Sequence, residues 1–309
     1  MKYYNSLSLF FINLFTILVP RWLHPPMAMI WGGMFYLILG KNRRGVQSNL
    51  RTITGSDKVG RLAFSTFYKF SINWCDVMMM MRFKSSKLQA LIGRRSSQKP
   101  LDDALAAGSG AILVSPHLGN WELGGLGLAD LGYPIHVLTF REPDKKVNQL
   151  REKVRKERNI GFIYVDRNDT SPLAIIEAVN ALRRNEVLCL LGDRDGSSNT
   201  MTIDFFGRPT EFPVGAAYLS MATGAPVIPV FVPLEERHYA TLMEEPIFFY
   251  SRHGQHKQAV HEGMVKLVRV FESYIQRYPD QWYNLFDFWK ENTETKLKQN
   301  HTTEERNRE

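Results

Sequence analysis

From about residue 101 to residue 290, short apolar runs alternate with longer stretches whose apolar residues recur every three or four positions. The runs Ala111–Ser115, Ile135–Phe140, Gly161–Val165, Val187–Leu191 and Val227–Val232 predict buried strands, with Tyr239–Leu242 a weaker sixth. Between them, helices are predicted over 101–107, 120–131, 144–159, 171–184 and 213–223. A last helix, near 257–278, would bury Val260, Met264, Leu267, Val268, Phe271 and Ile275 on one face. Strands alternating with helices predict an α/β fold with a mostly parallel, helix-covered sheet.

The first hundred residues have a different texture. Leu7–Val19 and Met27–Leu39 are uncharged apolar runs of 13 residues each, short of the ~20 that a membrane-spanning helix needs. Pro20, Pro25 and Pro26 interrupt them, Lys41, Arg43 and Arg44 follow, and Tyr3, Tyr4, Trp22, Trp31 and Tyr36 suit a membrane interface. A signal peptide would need a small-residue cleavage site, which does not follow the first run. A membrane-anchoring or membrane-dipping segment over 1–45 is the expectation, with a pair of buried core helices as its alternative. Residues 46–100 read as helical, with Gly93–Pro100 a polar linker and Met78–Met81 as core or lipid-tail packing. Residues 101–290 form the α/β domain. Glu291–Glu309, with a single Leu, reads as a disordered tail.

Charge sharpens this division. The chain carries a net +8, but residues 1–100 hold 15 Lys/Arg against two acids, and the other 209 residues hold 24 against 29. A basic, aromatic-rich first third suits an anionic membrane or an acidic carrier protein. The basic residues are dispersed and no nucleic-acid module is present, so no nucleic-acid partner is expected. Two distant cysteines, Cys75 and Cys189, suggest buried thiols and a reducing compartment.

Candidate chemistry centres on Ser115-Pro116-His117-Leu118-Gly119-Asn120-Trp121-Glu122. His117 sits where a strand hands over to a helix, a common place for active sites in open α/β sheets. With Glu122 to orient its ring, it can act as general base toward a hydroxyl; a histidine at a strand end can equally be a structural hydrogen-bonder. Other strand ends deliver Arg167, after Gly161–Asp166, and the triplet Asp193-Arg194-Asp195. Guanidinium suits phosphate, which makes Arg167, Arg194 and Arg141 (in Phe140-Arg141-Glu142-Pro143) candidate phosphate ligands. No G-x-S-x-G elbow is present for a lipid-ester hydrolase. Gly125-x-Gly127-x-x-Asp130 lacks the last glycine of a dinucleotide loop. Asp193-x-Asp195-Gly196 lacks the further acids of a calcium loop, and His253, His256 and His261 form no H-E-x-x-H zinc motif, so no metal is expected.

Taken together, His117-x4-Glu122, Arg167, Asp193-Arg194-Asp195, Pro226-Val227-Ile228-Pro229 and the N-terminal Pro20-Arg21, Arg43-Arg44 and Asn49-Leu50 carry a resemblance over about residues 7–290. The chain resembles the lysophospholipid acyltransferase superfamily, specifically the late (lauroyl/myristoyl) acyltransferases of lipid A biosynthesis and the related phosphatidylinositol mannoside acyltransferases. That resemblance implies a sheet of the glycerolipid acyltransferase type and a bacterial enzyme at the cytoplasmic face of the inner membrane. It implies O-acyl transfer from an acyl carrier protein or coenzyme A thioester to a glycolipid hydroxyl such as that of a lipid A precursor, with no further cofactor. His117 would be the base and Glu122 its partner. Arg141, Arg167 and Arg194 would hold phosphate, and Asp193 and Asp195 would fix those arginines or the acceptor sugar. Another lipid acceptor, or hydrolysis of a lipid ester, is the alternative. Two departures bear on the acceptor: Asp280–Trp289 lacks the basic cluster common in lipid A enzymes, and Asp-Arg-Asp is closer to the phosphatidylinositol mannoside type.

Overall fold

The computed structural model describes residues 14–140, 148–149, 152, 156–165, 172–194, 199–250 and 255–292. Seven strands form the main path of the sheet: β1 (Ile92–Arg95), β2 (Ala111–Ser115), β3 (Ile135–Phe140), β4 (Gly161–Val165), β5 (Val187–Leu191), β8 (Val227–Phe231) and β10 (His238–Met243). Their spatial order is β1-β10-β8-β2-β5-β3-β4, and the short β9 (Leu234–Glu235) pairs with β10. The pairs β2–β5, β2–β8, β3–β4, β3–β5 and β1–β10 are parallel, whereas β10 runs antiparallel to β8 and β9. The first four predicted strands match the observed ones residue for residue. The fifth ends one residue early.

Alternation along β2 explains the layering. Ile112 and Val114 enter one core, with α8 (Gly215–Thr223) and α9 (His256–Arg277) over it. Ala111 and Leu113 enter the other, under α6 (Trp121–Asp130). A strand buried on both faces needs apolar residues at every position, hence the unbroken run Ala-Ile-Leu-Val. All six apolar residues predicted for the last helix are buried on α9. Helices α5 (Lys99–Ala106) and α7 (Leu173–Arg183) complete the cover, whereas the helix predicted over 144–159 lies mostly outside the described residues.

Two elements depart from the predicted pattern. The Gly93–Pro100 linker instead begins inside β1 and ends in the first turn of α5. As an exposed edge strand, β1 needs little apolar sequence; its partner β10 supplies the pairing. A separate hairpin, β6 (Thr200–Phe205) with β7 (Arg208–Pro213), also forms. Its alternation, with Ile203 and Phe205 buried between exposed Thr202 and Asp204, is a legible strand signal that the reading above lacks.

The N-terminal helices are α1 (His24–Ile38), α2 (Gly40–Thr54) and α3 (Gly60–Met80), followed by the short α4 (Ser85–Gln89). Pro25 and Pro26 sit in the first turn of α1, where a missing N–H costs nothing. Met78, Met79 and Met80 are buried core. Met29, Ile30, Met34, Phe35, Leu37 and Ile38 are exposed along α1. Among the described residues, no helix is long and apolar enough to cross a membrane. The buried face of α2 meets the chain's C-terminal segment. Asn42 donates to Leu285 O at 2.6 Å, and Asn49 donates to Asn284 O and Phe286 O at 3.0 and 2.7 Å. Gly45 makes that approach possible, since a Cβ there would lie 2.5 Å from the Phe286 carbonyl carbon.

Candidate active site

Parallel pairing of β2 and β5 sets Ser115 opposite Leu191. Two residues beyond those ends stand His117 and Asp193, and their side chains meet: His117 Nδ1 lies 2.5 Å from Asp193 Oδ1. An ionised carboxylate only accepts hydrogen bonds, so Nδ1 carries the proton and Nε2 is left as the basic nitrogen. The geometry thus gives the His117 ring a carboxylate partner from the neighbouring strand, Asp193, where the spacing suggested Glu122. Glu122 stands in the first turn of α6 and lines the same cavity as His117.

Local backbone explains where the ring sits. Gly119 has φ +67°, and a Cβ there would fall 2.1 Å from Val232 O, so only glycine lets the turn lie against β8's end. Asn120 then caps α6, its Oδ1 accepting from Leu123 N at 3.0 Å. The C-terminal segment holds the turn from the other side: Gly119 N donates to Gln281 O at 3.0 Å and Tyr283 N to His117 O at 2.8 Å.

Asp193 is fully buried. Its Oδ2 accepts from Trp282 Nε1 at 2.8 Å and from Asn284 Nδ2 at 3.3 Å. Burial pushes its carboxyl up, but His117, Arg194 and the Trp282 N–H outweigh burial and hold it far below the usual carboxylate range. His117 moves down from its ordinary value, through burial first and then the Arg194 charge, against the opposing pull of Asp193. A neutral imidazole beside an ionised carboxylate has the chemistry to act as a general base. Arg194 donates to Asn284 Oδ1 at 2.6 Å and Tyr283 O at 2.8 Å and lies over the Phe286 ring, so its charge is fixed beside the pair.

His117, Glu122 and Arg194 line a cavity of about 1350 Å³ whose walls include Phe35, Leu126, Leu128, Val137, Leu219 and Leu285. That volume exceeds the usual ~300–1,000 Å³ of small-molecule pockets and has room for an alkyl chain. Of the other sequence candidates, Arg141, Arg167 and Asp195 lie outside the described residues. Asp193 is bonded to His117, Trp282 and Asn284, with the Arg194 charge beside it. Trp282 and Asn284 are site residues to which the sequence reading gave no role; they lie in the Asp280–Trp289 segment, noted there only for lacking a basic cluster. Cys75 and Cys189 are both free thiols, and burial pushes each up to about 12.

Residues 1–291 match the sequence model of the family described as bacterial lipid A biosynthesis acyltransferase. The phosphatidylinositol mannoside acyltransferase of Mycobacterium tuberculosis (strain ATCC 25618 / H37Rv) is 34% identical over 137 residues, 44% of this chain and 43% of that one. That of Mycolicibacterium smegmatis is 29% identical over 188 residues, 60% of this chain and 59% of that one. The aligned region therefore spans about half the length of these curated relatives.

Proposed function

The chain belongs to the bacterial lipid A biosynthesis acyltransferase family, and from that premise we propose that it moves a fatty acyl chain from a thioester to a hydroxyl of a membrane glycolipid. The observation that carries the reading is the His117–Asp193 pair at the wall of an apolar cavity. His117 Nε2 takes the acceptor's hydroxyl proton as the oxygen attacks the thioester carbonyl. The C–O bond forms, the C–S bond breaks, and the imidazolium returns its proton to the departing thiolate. Asp193 keeps Nδ1 protonated and balances the imidazolium charge. Glu122 and Arg194 contact the polar parts of the substrates from the same cavity, with Arg194 suited to phosphate.

The relatives' names favour a mannose-bearing phosphoinositide as acceptor, and the Asp193-Arg194-Asp195 triplet agrees; a lipid A precursor is the second reading, favoured by the family model. Both present sugar hydroxyls on a lipid, and the donor is an acyl carrier protein or coenzyme A thioester. The exposed apolar face of α1, followed by Lys41, Arg43 and Arg44, rests on the anionic cytoplasmic face of the inner membrane. At 15 residues, α1 is ~22 Å long against a ~30 Å hydrocarbon core, so it lies on the bilayer or dips into it. Lipid mass spectrometry of cells with and without the gene tests the assignment. A glycolipid one acyl chain short in the deletion strain names the acceptor; an unchanged glycolipid profile refutes it.

A further inference from the structure

The C-terminal segment Gln281–Asn284 touches both halves of the pair without entering the chemistry. Through its backbone it grips the turn that carries His117, at Gly119 N and His117 O. Through two side chains it grips the carboxylate, both donating to Asp193 Oδ2. With Oδ2 occupied twice, Oδ1 is the oxygen turned to His117. Asn284 is itself fixed: its amide oxygen accepts from Arg194 and its backbone carbonyl accepts from Asn49 on α2, which settles which end of the amide faces Asp193.

We propose that Trp282 and Asn284 are positioning residues for acyl transfer, a clamp on Asp193 Oδ2 that holds the carboxylate in the one orientation that keeps the His117 proton on Nδ1. The inference rests on the acyl-transfer reading for its kinetic consequence but not for its geometry. A carboxylate with no solvent around it must be paired on each oxygen or pay heavily in desolvation. Were Oδ2 unbound, the carboxylate could rotate to share its charge with Arg194, the other ionised group beside it, and the imidazole would be free to adopt either tautomer. Among the described residues, Arg194 is the charged group beside the pair, and Glu122 lines the same cavity.

The test uses the full chain in detergent, labelled with ¹⁵N-histidine, as wild type, Trp282→Phe and Trp282→Phe/Asn284→Ala. The Phe variant keeps an aromatic ring beside Phe205 and Phe288 and loses the N–H donor together with part of the indole's buried volume. Should it fold poorly, β-(3-benzothienyl)alanine at 282 replaces the N–H with sulfur in the same ring. In the neutral form, His117 nitrogen shifts are expected to report one Nδ1–H tautomer in wild type and a mixture in the variants. With palmitoyl coenzyme A and phosphatidylinositol mannoside, kcat falls about tenfold for the single and about a hundredfold for the double variant, at unchanged KM. A structural filler would move thermal stability and leave the tautomer alone. A single Nδ1–H tautomer retained in both variants overturns the clamp. Since the tautomer is read without substrate, a wild type that transfers nothing overturns the acyl-transfer reading, while a tautomer mixture in the variants still supports the clamp.

Discussion

Asp193→Asn removes one charge and almost no volume, yet the structure sets its outcome in detail. Trp282 and Asn284 both donate to the Oδ2 position, so an asparagine at 193 would keep its amide oxygen there. Its NH2 must then face His117 Nδ1, which sits 2.5 Å from the present Oδ1. Two donors cannot share that gap, so Nδ1 becomes an acceptor and the imidazole proton moves to Nε2. The nitrogen needed to take the acceptor's proton is then already protonated. In hydrolases with this order of hydrogen bonds, the equivalent swap costs about 10,000-fold in turnover, about 5 kcal/mol of barrier. The same order of loss is expected here, in kcat and not KM. Single-turnover transfer of radiolabelled palmitate from its coenzyme A thioester to glycolipid measures it, with circular dichroism melts to show that the variant folds. Glu122→Gln, assayed beside it, is expected to lose much less. A loss under about tenfold for Asp193→Asn, or a larger one for Glu122→Gln, would refute the assignment of Asp193 as the partner of the base.

Four further outcomes rest on the same structure. The proposed mechanism needs neutral His117 and ionised Asp193; because His117 is held below its ordinary value of 6.5, the acid limb of kcat is expected below pH 6.5, and a midpoint above it contradicts the burial argument. The sign for stability is the same: His117's contribution is full above its unfolded value and is lost as pH falls through the lower folded one, which pH-dependent chemical denaturation can follow. Gly119→Ala places a methyl 2.1 Å from Val232 O at φ +67°, so a destabilisation above about 3 kcal/mol is expected by urea unfolding, and a neutral effect would show the turn to be looser than described. Ile30→Glu/Leu37→Glu on the exposed face of α1 is expected to weaken sedimentation with anionic vesicles at least about tenfold; unchanged binding would place the membrane contact elsewhere.

The core strands were legible because burial on both faces demands an uninterrupted apolar run, as in Val187–Leu191, and such runs leave little freedom in their ends. Edge strand β1 was not, since Ile-Gly-Arg-Arg owes its conformation to β10 and not to its own composition. The site divides the same way. His117 could be picked out by its strand-to-helix setting, which is local. Its carboxylate could not: Asp193 lies 76 residues away, and only the adjacency of β2 and β5 joins them. Local spacing offered Glu122 instead, because a sequence shows neighbours along the chain and hides neighbours across a sheet. Trp282 and Asn284 were still further from view, their role depending on a segment that returns from the last helix and is held by Asn49 near the chain's beginning.

The most direct test of the central claim incubates purified full-length protein with palmitoyl thioester and phosphatidylinositol mannoside, and in parallel a lipid A precursor, and follows products by mass spectrometry for wild type and His117→Ala. The account predicts a glycolipid heavier by one acyl chain with wild type, together with free thiol, and neither with His117→Ala in a protein that still folds. An acylated product formed equally by both proteins, or release of free fatty acid in place of acylated glycolipid, would contradict it.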